Sequence, residues 1–257
     1  MCYYLKTQYY TDPLFKEVDA TYIIHLESDT SRQINIDNQL KLFHPTKTVH
    51  ILYNKGFKKC YKPNVSITVE DLIHCYLYIC NDAKKYNTIL ILEDDFIFNK
   101  EIKNHTKNID TFIKNHNNFV YRLGCIPAIQ VPYNSYTNIG IGLGTHAVLY
   151  SKTIRNKIIN KDKILDWDKL LNNEYVNYIY YKPLCYQLFP NTENRSKWGI
   201  TNNYFLYYIM QNIVVQLFKL LKLDTQTEPG YSILYSISLS LPFIILLLIL
   251  FLIKKIY

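Results

Sequence analysis

A chain of 257 residues can bury one sizeable core and little more, and this one is basic, with 29 Lys and Arg against 21 Asp and Glu for a net charge of +8. That balance suits phosphate-bearing or anionic-lipid partners, but no long Lys/Arg run or basic helix marks a nucleic-acid stripe, so nucleic acid is excluded as a partner. The six cysteines (Cys2, Cys60, Cys75, Cys80, Cys125 and Cys185) form no CxxC pair and no Cys/His cluster at zinc spacing. They read as buried thiols of a reducing compartment.

Residues 1–20 open on a polar, aromatic stretch with no apolar signal-peptide core, and are expected as a loose or partly packed arm. Thr21–Leu26 and Thr48–Tyr53 are short runs of β-branched and aromatic residues, which predicts strands. Between them and the next strand, Val69, Leu72, Ile73, Tyr76, Leu77 and Cys80 fall at helical spacing, with Thr68 and Asp71 placed for a capping box. Thr88-Ile-Leu-Ile-Leu92 does not alternate, as expected of a strand buried on both faces of a parallel sheet. A helix over Ile102–Phe112 and a strand over Phe119–Leu123 follow. This alternation predicts an α/β sandwich with a mostly parallel sheet. From Gly124 to Trp198 the chain carries Pro127, Pro132, Pro183 and Pro190, and the glycines of Gly140-Ile-Gly-Leu-Gly144. This part is expected to be irregular, of the kind that builds an acceptor side. The Gly run lacks the dinucleotide-binding spacing and reads as a flexible loop entering a strand.

The C-terminal part is different in character. In Tyr204–Lys222 the polar residues Gln211, Asn212, Gln216, Lys219 and Lys222 share one helical face, which fits an interfacial membrane helix (residues 201–223) or a core helix equally well. Residues 224–230 read as a polar hinge. Residues 231–253 then hold no charge at all, long enough to cross a bilayer as a helix. Pro242 is tolerated in such a helix, and Lys254 and Lys255 would snorkel to the headgroups. The expectation is a tail-anchored single-pass protein in contact with the lipid bilayer. The sequons at Asn64, Asn104 and Asn194 are too short a pattern to establish lumenal exposure.

The strongest chemical signal is Glu93-Asp94-Asp95, directly after the apolar strand. Ligands of open α/β sheets sit at the carboxyl ends of the strands. Adjacent carboxylates there repel one another unless a cation is shared, and Mn2+ or Mg2+ would both relieve the repulsion and bridge to diphosphate oxygens. The competing reading is a solvated acidic turn.

Five further stretches extend the pattern. Thr21-Tyr-Ile-Ile-His-Leu-Glu-Ser-Asp-Thr-Ser-Arg32 resembles the first strand and loop of glycosyltransferase family 25, the lipopolysaccharide and collagen galactosyltransferase group. Ile73-His74-Cys75 and Ile89-Leu-Ile-Leu-Glu-Asp-Asp95 stand as that family's "SHxxxW" helix and "ILEDD" strand do. Gly142-Leu-Gly-Thr-His-Ala-Val-Leu-Tyr-Ser-Lys152 is similar to its "GTHAYLIS" strand, Asp166-Trp-Asp168 to its acidic loop, and Pro183-Leu-Cys-Tyr-Gln187 to its "PPLxxQ" segment. The resemblance covers residues 22–198. It implies a GT-A-like, Rossmann-type α/β sandwich over residues 21–200, followed by the C-terminal transmembrane helix.

By the same resemblance Glu93 and Asp94 face the donor, Asp94 and Asp95 hold the metal, and Arg32, His146 and Gln187 contact the donor. Asp166 and Asp168 are the candidates for the catalytic base, or else cap the helix that follows. Trp167 between them would offer a face to a sugar ring. The function implied is transfer of a hexose, galactose or glucose, from a nucleotide sugar (UDP-hexose) to a hydroxyl of a glycan, lipid or protein. The compact, AT-biased chain suits a viral or protist source. The alternative is a non-catalytic membrane or envelope protein whose domain binds a glycan or partner, favoured by a first loop that carries only Arg32 where the family is richer in Arg. A metal-dependent nucleotidyl or phosphoryl transferase is a third reading, weakened by the lack of a P-loop.

Overall fold

A computed structural model describes residues 1–188 and 216–256. The elements run β1 (Tyr3–Tyr9), β2 (Ala20–Leu26), α1 (Thr30–Leu42), β3 (Thr48–Asn54), α2 (Thr68–Asp82), β4 (Thr88–Glu93), β5 (Phe96–Phe98), α3 (Ile102–Asn115), β6 (Val120–Asn134), β7 (Thr137–Ser151), α4 (Lys152–Ile159), α5 (Trp167–Glu174), β8 (Asn177–Tyr180), β9 (Cys185–Gln187) and a last helix, here α6 (Gly230–Ile256).

Seven strands form one sheet in the order β1-β3-β2-β4-β7-β6-β8. Strands β3, β2, β4, β6 and β8 point one way, and β1 and β7 point the other. The sheet is therefore mostly parallel in direction, as the alternation predicts. β4 lies at its centre and explains its own sequence. Leu90 and Leu92 face a core shared with α1 and α3, while Ile89 and Ile91 face a second core shared with α2, α4 and α5. Both faces are buried, so no polar residue interrupts the run.

The stretch expected as an arm contains β1, which pairs antiparallel with β3 along its whole length. Cys2 at its start is joined to Cys60 by a disulfide, which corrects the reading of all six cysteines as thiols; the other four are free and buried. The capping box also differs from expectation. Glu70, not Asp71, accepts from the backbone of Ser66 and Ile67 ahead of α2. Asp71 turns inward instead, pairing with buried Lys62 and accepting from Asn54 and the Phe57 amide.

The larger surprise is residues 124–151. In place of the irregular stretch expected from Gly124 they form a long β6–β7 hairpin, whose second strand takes in residues 142–151 of the stretch likened to a strand, with Pro127 and Pro132 next to register shifts where the ladder is already broken. β8 lies between the first residues of β6 and the first residues of β7, so the ribbon curls around it. The expected helix over Tyr204–Lys222 lies largely outside the described residues. α6 is long and apolar enough to cross a membrane.

Asp71→Ala would strand Lys62 as a buried, unpaired charge. We expect a loss of about 3–5 kcal/mol in urea unfolding of the detergent-solubilised chain; a change below about 1 kcal/mol would show that the pair is not buried as described.

Candidate active site

The acids following β4 emerge where the sheet's direction reverses, between parallel β2 and antiparallel β7. This is the crevice in which open α/β sheets bind ligands. Asp94 and Asp95 are buried. Asp94 accepts from His25 Nδ1 at 3.1 Å and from the Leu26 amide at 3.2 Å, both at the end of β2. Its other oxygen pairs with Arg32 Nη1, and Arg32 Nη2 lies 3.5 Å from Asp95. Arg32 is placed by the first turn of α1, where Asp29 caps the helix and also pairs with the guanidinium.

Glu93 is held from the opposite side. Tyr76 Oη donates to it at 2.9 Å and Thr145 Oγ1 at 2.8 Å. Gln187 Nε2 then links the acids, donating to Asp95 at 3.0 Å and to Glu93 at 3.3 Å. Burial and mutual repulsion raise the Asp95 carboxyl well above the usual range, and burial also raises Glu93. For Arg32, burial works against the charge, but Asp94 and Asp95 outweigh it and raise its pKa.

A second pair adjoins the first. Arg122 is fully buried and donates to the Gly144 carbonyl and to Asp168, while Asp168 accepts from the Gly144 amide. Burial raises the Asp168 carboxyl. Gly144 sits at φ +83°, a backbone conformation open to glycine. A Cβ there would stand 3.2 Å from His146 Nδ1 and 3.7 Å from Gln187 Oε1, so the bare backbone leaves room for both. His146 is fully buried, with Nε2 on the Cys185 carbonyl at 3.2 Å. Burial pushes its pKa down to about 4, so it is neutral at ordinary pH.

Arg32, Glu93, Asp94, Asp95, His146, Asp168 and Gln187 thus meet in one place although up to 155 positions separate them in sequence. Asp166 does not join them through its carboxylate, which caps α5 by accepting from the Lys169 amide at 2.8 Å. Trp167 offers no face to a sugar: it is buried, stacked on Tyr76 at 4.4 Å, with Nε1 donating to Tyr150. His74 bonds Tyr3 instead, away from the acids. The Gly140–Gly144 run lies within β7 rather than in a loop. The sequence reading missed Tyr76, Thr145, His25 and Arg122 as parts of this cluster. Tyr76 and His25 sit in apolar patterns that announce core, and their polar ends give no periodic signal.

The acids are hard oxygen donors; the Arg32 guanidinium pairs with Asp94 and Asp95, while Glu93 meets only the neutral donors Tyr76, Thr145 and Gln187. That excess of negative charge suits a divalent cation. Among the described residues no three His, Cys, Asp or Glu side chains are placed to share one metal ion. Magnesium commonly takes one or two carboxylates plus substrate phosphates, and Asp94 and Asp95 meet that lesser requirement.

No family model matches the chain, and no curated protein matches it. Among solved structures it is similar to a glycosyltransferase involved in the glycosylation of the major capsid of PBCV-1, at 12% identity and TM-score 0.42 over 70% of this chain and 98% of that one. It is also similar to A197 from STIV, at 13% identity and TM-score 0.43 over 67% and 86%. A putative glucose-1-phosphate thymidylyltransferase from Bacillus anthracis, in complex with a sucrose, matches at 11% identity and TM-score 0.28 over 55% and 56%.

The neutral, buried His146 gives a pH test. Unfolded, it takes up a proton below about 6.5; folded, only near 4. Between these values the unfolded state binds more protons, so this contribution to stability is complete above 6.5 and is lost as pH falls toward 4. Glu93, Asp95 and Asp168, with raised pKa values, act in the opposite sense, so the difference between wild type and His146→Asn isolates the histidine. Across this window the variant should lose up to about 3 kcal/mol less than wild type; parallel unfolding profiles would contradict the assignment.

Proposed function

We propose that this chain is a membrane-bound glycosyltransferase of the family 25 type, moving a hexose from a nucleoside-diphosphate sugar to an acceptor hydroxyl. The observation that carries the reading is the convergence of the separated motif residues. Arg32, the acids of 93–95, Gly144–His146, Asp168 and Gln187 come from four of the stretches that resemble the family and from its acidic loop, and they meet at one end of the sheet.

Each residue then has work that its surroundings allow. Arg32 keeps about a fifth of its side chain exposed. It is free to turn from Asp94 and Asp95 toward a diphosphate, whose departing charge a planar guanidinium matches well. Asp94 and Asp95 would hold Mn2+ or Mg2+, which when bound supplies electrophilic stabilisation of the leaving nucleoside diphosphate. Asp168, with its raised carboxyl pKa and about a quarter of its side chain open, is the better base for the acceptor hydroxyl. Asp166 serves it as the cap of α5. Gln187 and His146 shape the donor side. UDP-galactose or UDP-glucose is the donor favoured by the resemblance, with a glycan, lipid or protein as acceptor. α6 would anchor the domain to the bilayer as a C-terminal span, on the tail-anchored plan.

One observation favours the non-catalytic alternative. Arg32 already neutralises part of the charge on Asp94 and Asp95, as it would in a chain that no longer binds a cation. The test uses the full chain in detergent with a panel of nucleotide sugars, with Mn2+, Mg2+ or chelator. We expect nucleoside-diphosphate release from one donor, supported by cation, lost in Asp95→Asn and reduced about 100-fold in Arg32→Ala. A folded chain that neither binds nor turns over any donor would leave the binding-protein reading in its place.

A further inference from the structure

α6 is not joined to the domain by a free tether. Its residues Tyr231, Leu234, Tyr235 and Ser238 are buried and lie on one helical face. Tyr231 Oη donates to the Gln187 carbonyl at 2.7 Å and accepts from its amide at 3.3 Å. Tyr235 packs between Cys125 and Ile179. Ser238 Oγ accepts from Gln130 Nε2 at 2.7 Å. The segment read as a hinge is tied down as well. A Cβ on Gly230 would lie 2.0 Å from the Leu221 carbonyl oxygen, and Glu228 accepts from Tyr186 and Ser232.

This docking leaves the helix short. Ser238 is its last buried residue. The uncharged stretch beyond it, residues 239–253, has fifteen residues, or about 22 Å of helix. The hydrocarbon core is roughly 30 Å thick. Either the bilayer thins around the helix, or the domain edge where α6 leaves is drawn into the headgroup layer.

The surface at that edge favours the second outcome. α6 leaves across Gln130, which lies on the outer part of β6. There β6 pairs only with β7, and its other edge meets no strand among the described residues. From Leu123 to Ser151 the hairpin holds no Asp, Glu, Lys or Arg, in a chain that is 19% charged. Yet Val131, Tyr133, Tyr136 and Ile141 are each close to half exposed. Tyr133 packs on Tyr178, and Tyr136 on Tyr181. Tyrosine with an apolar body and a wet hydroxyl is the residue of the membrane–water interface, and a strand edge, with its backbone groups open, belongs in headgroups rather than hydrocarbon.

We infer that the outer β6–β7 hairpin is a second membrane contact, seated in the headgroup layer beside α6. The inference rests on the reading of α6 as a span. Its partner is the bilayer interface, recognised through aromatic and aliphatic burial rather than charge, so the contact is insensitive to salt. A consequence follows for the site. Tyr231 holds Gln187, which bonds Asp95, and Tyr231 lies seven residues, about 10 Å of helix, above Ser238. The acids are thereby held close to the membrane surface, and the acceptor they serve is one that the membrane presents.

The test places single tryptophans in the full chain reconstituted in liposomes with brominated lipids, with the parent's signal subtracted. Leu248→Trp reports the span, Tyr133→Trp and Tyr136→Trp report the hairpin, and Tyr61→Trp is the control on a distant exposed loop. Quenching of Leu248→Trp and of both hairpin tryptophans, unchanged in high salt, with Tyr61→Trp unquenched, is the expected result. Quenching of Leu248→Trp alone overturns the hairpin contact and leaves the span standing. Hairpin tryptophans that are blue-shifted but unquenched also overturn it, because a protein then covers the surface. An unquenched Leu248→Trp removes the span itself.

Discussion

Three carboxylates on consecutive residues, two of them buried, are costly to keep at the end of one strand, and much of the structure answers that cost. Removed from water, like charges repel strongly and need donors and a counter-charge. Those partners come from every layer. α1 supplies Arg32, β2 supplies His25 and an amide, α2 supplies Tyr76, β7 supplies Thr145, and β9 supplies Gln187. A sheet that brings β2, β4 and β7 side by side, with α1 on one face and α2 on the other, is what allows five separate segments to reach one turn of chain.

The compensation is incomplete in a way that matters for chemistry. Most of the donors are neutral, and of the two guanidiniums nearby, Arg122 is committed to Asp168 and the Gly144 carbonyl. Arg32 is the one that reaches solvent. On the proposed reading, an incoming diphosphate meets a cluster that, with its carboxyls ionised, carries more negative charge than the one partly exposed guanidinium offsets. On the proposed reading a divalent ion and Arg32 divide the work, because phosphate oxygens cannot approach bare carboxylates. If Arg32 alone sufficed, the surplus on Glu93 and Asp95 would keep a donor away, and the site would be better suited to a neutral glycan.

The parts of the fold that could be read from sequence are those in which burial imposes a pattern. β2, β3, β4, α2 and α3 stand where the apolar runs and stripes place them, because each faces a core on one or both sides. The hairpin was hidden because its prolines and glycines serve register shifts and close backbone approach, and in a linear reading they are indistinguishable from loop residues. β1 was hidden because an edge strand alternates only weakly. Within the site, the acids and Arg32 declared themselves by charge. Tyr76 and Trp167 illustrate the limit: both belong to the same buried stack, yet only the tyrosine turns a hydroxyl toward the acids, and nothing in spacing alone separates the two.

The C-terminal helix is joined to the acids through Gln187. A tether would raise the local concentration of membrane-borne acceptor whatever its geometry. A docked helix does more, because it fixes height and orientation. Tyr231 bonds the backbone of Gln187 on both sides, and the Gln187 side chain bonds Asp95 and Glu93. A tilt of α6 would pull on the residue that ties the acids together, so on the reading of α6 as a span its position in the bilayer and the arrangement of the acids are mechanically one system. The apolar packing of Leu234 with Ile126 and Tyr186, and of Tyr235 between Cys125 and Ile179, makes that linkage stiff. On the proposed reading, stiffness of this kind has little use in a domain that only needs to remain near a membrane, and considerable use in one whose acceptor arrives at a fixed depth.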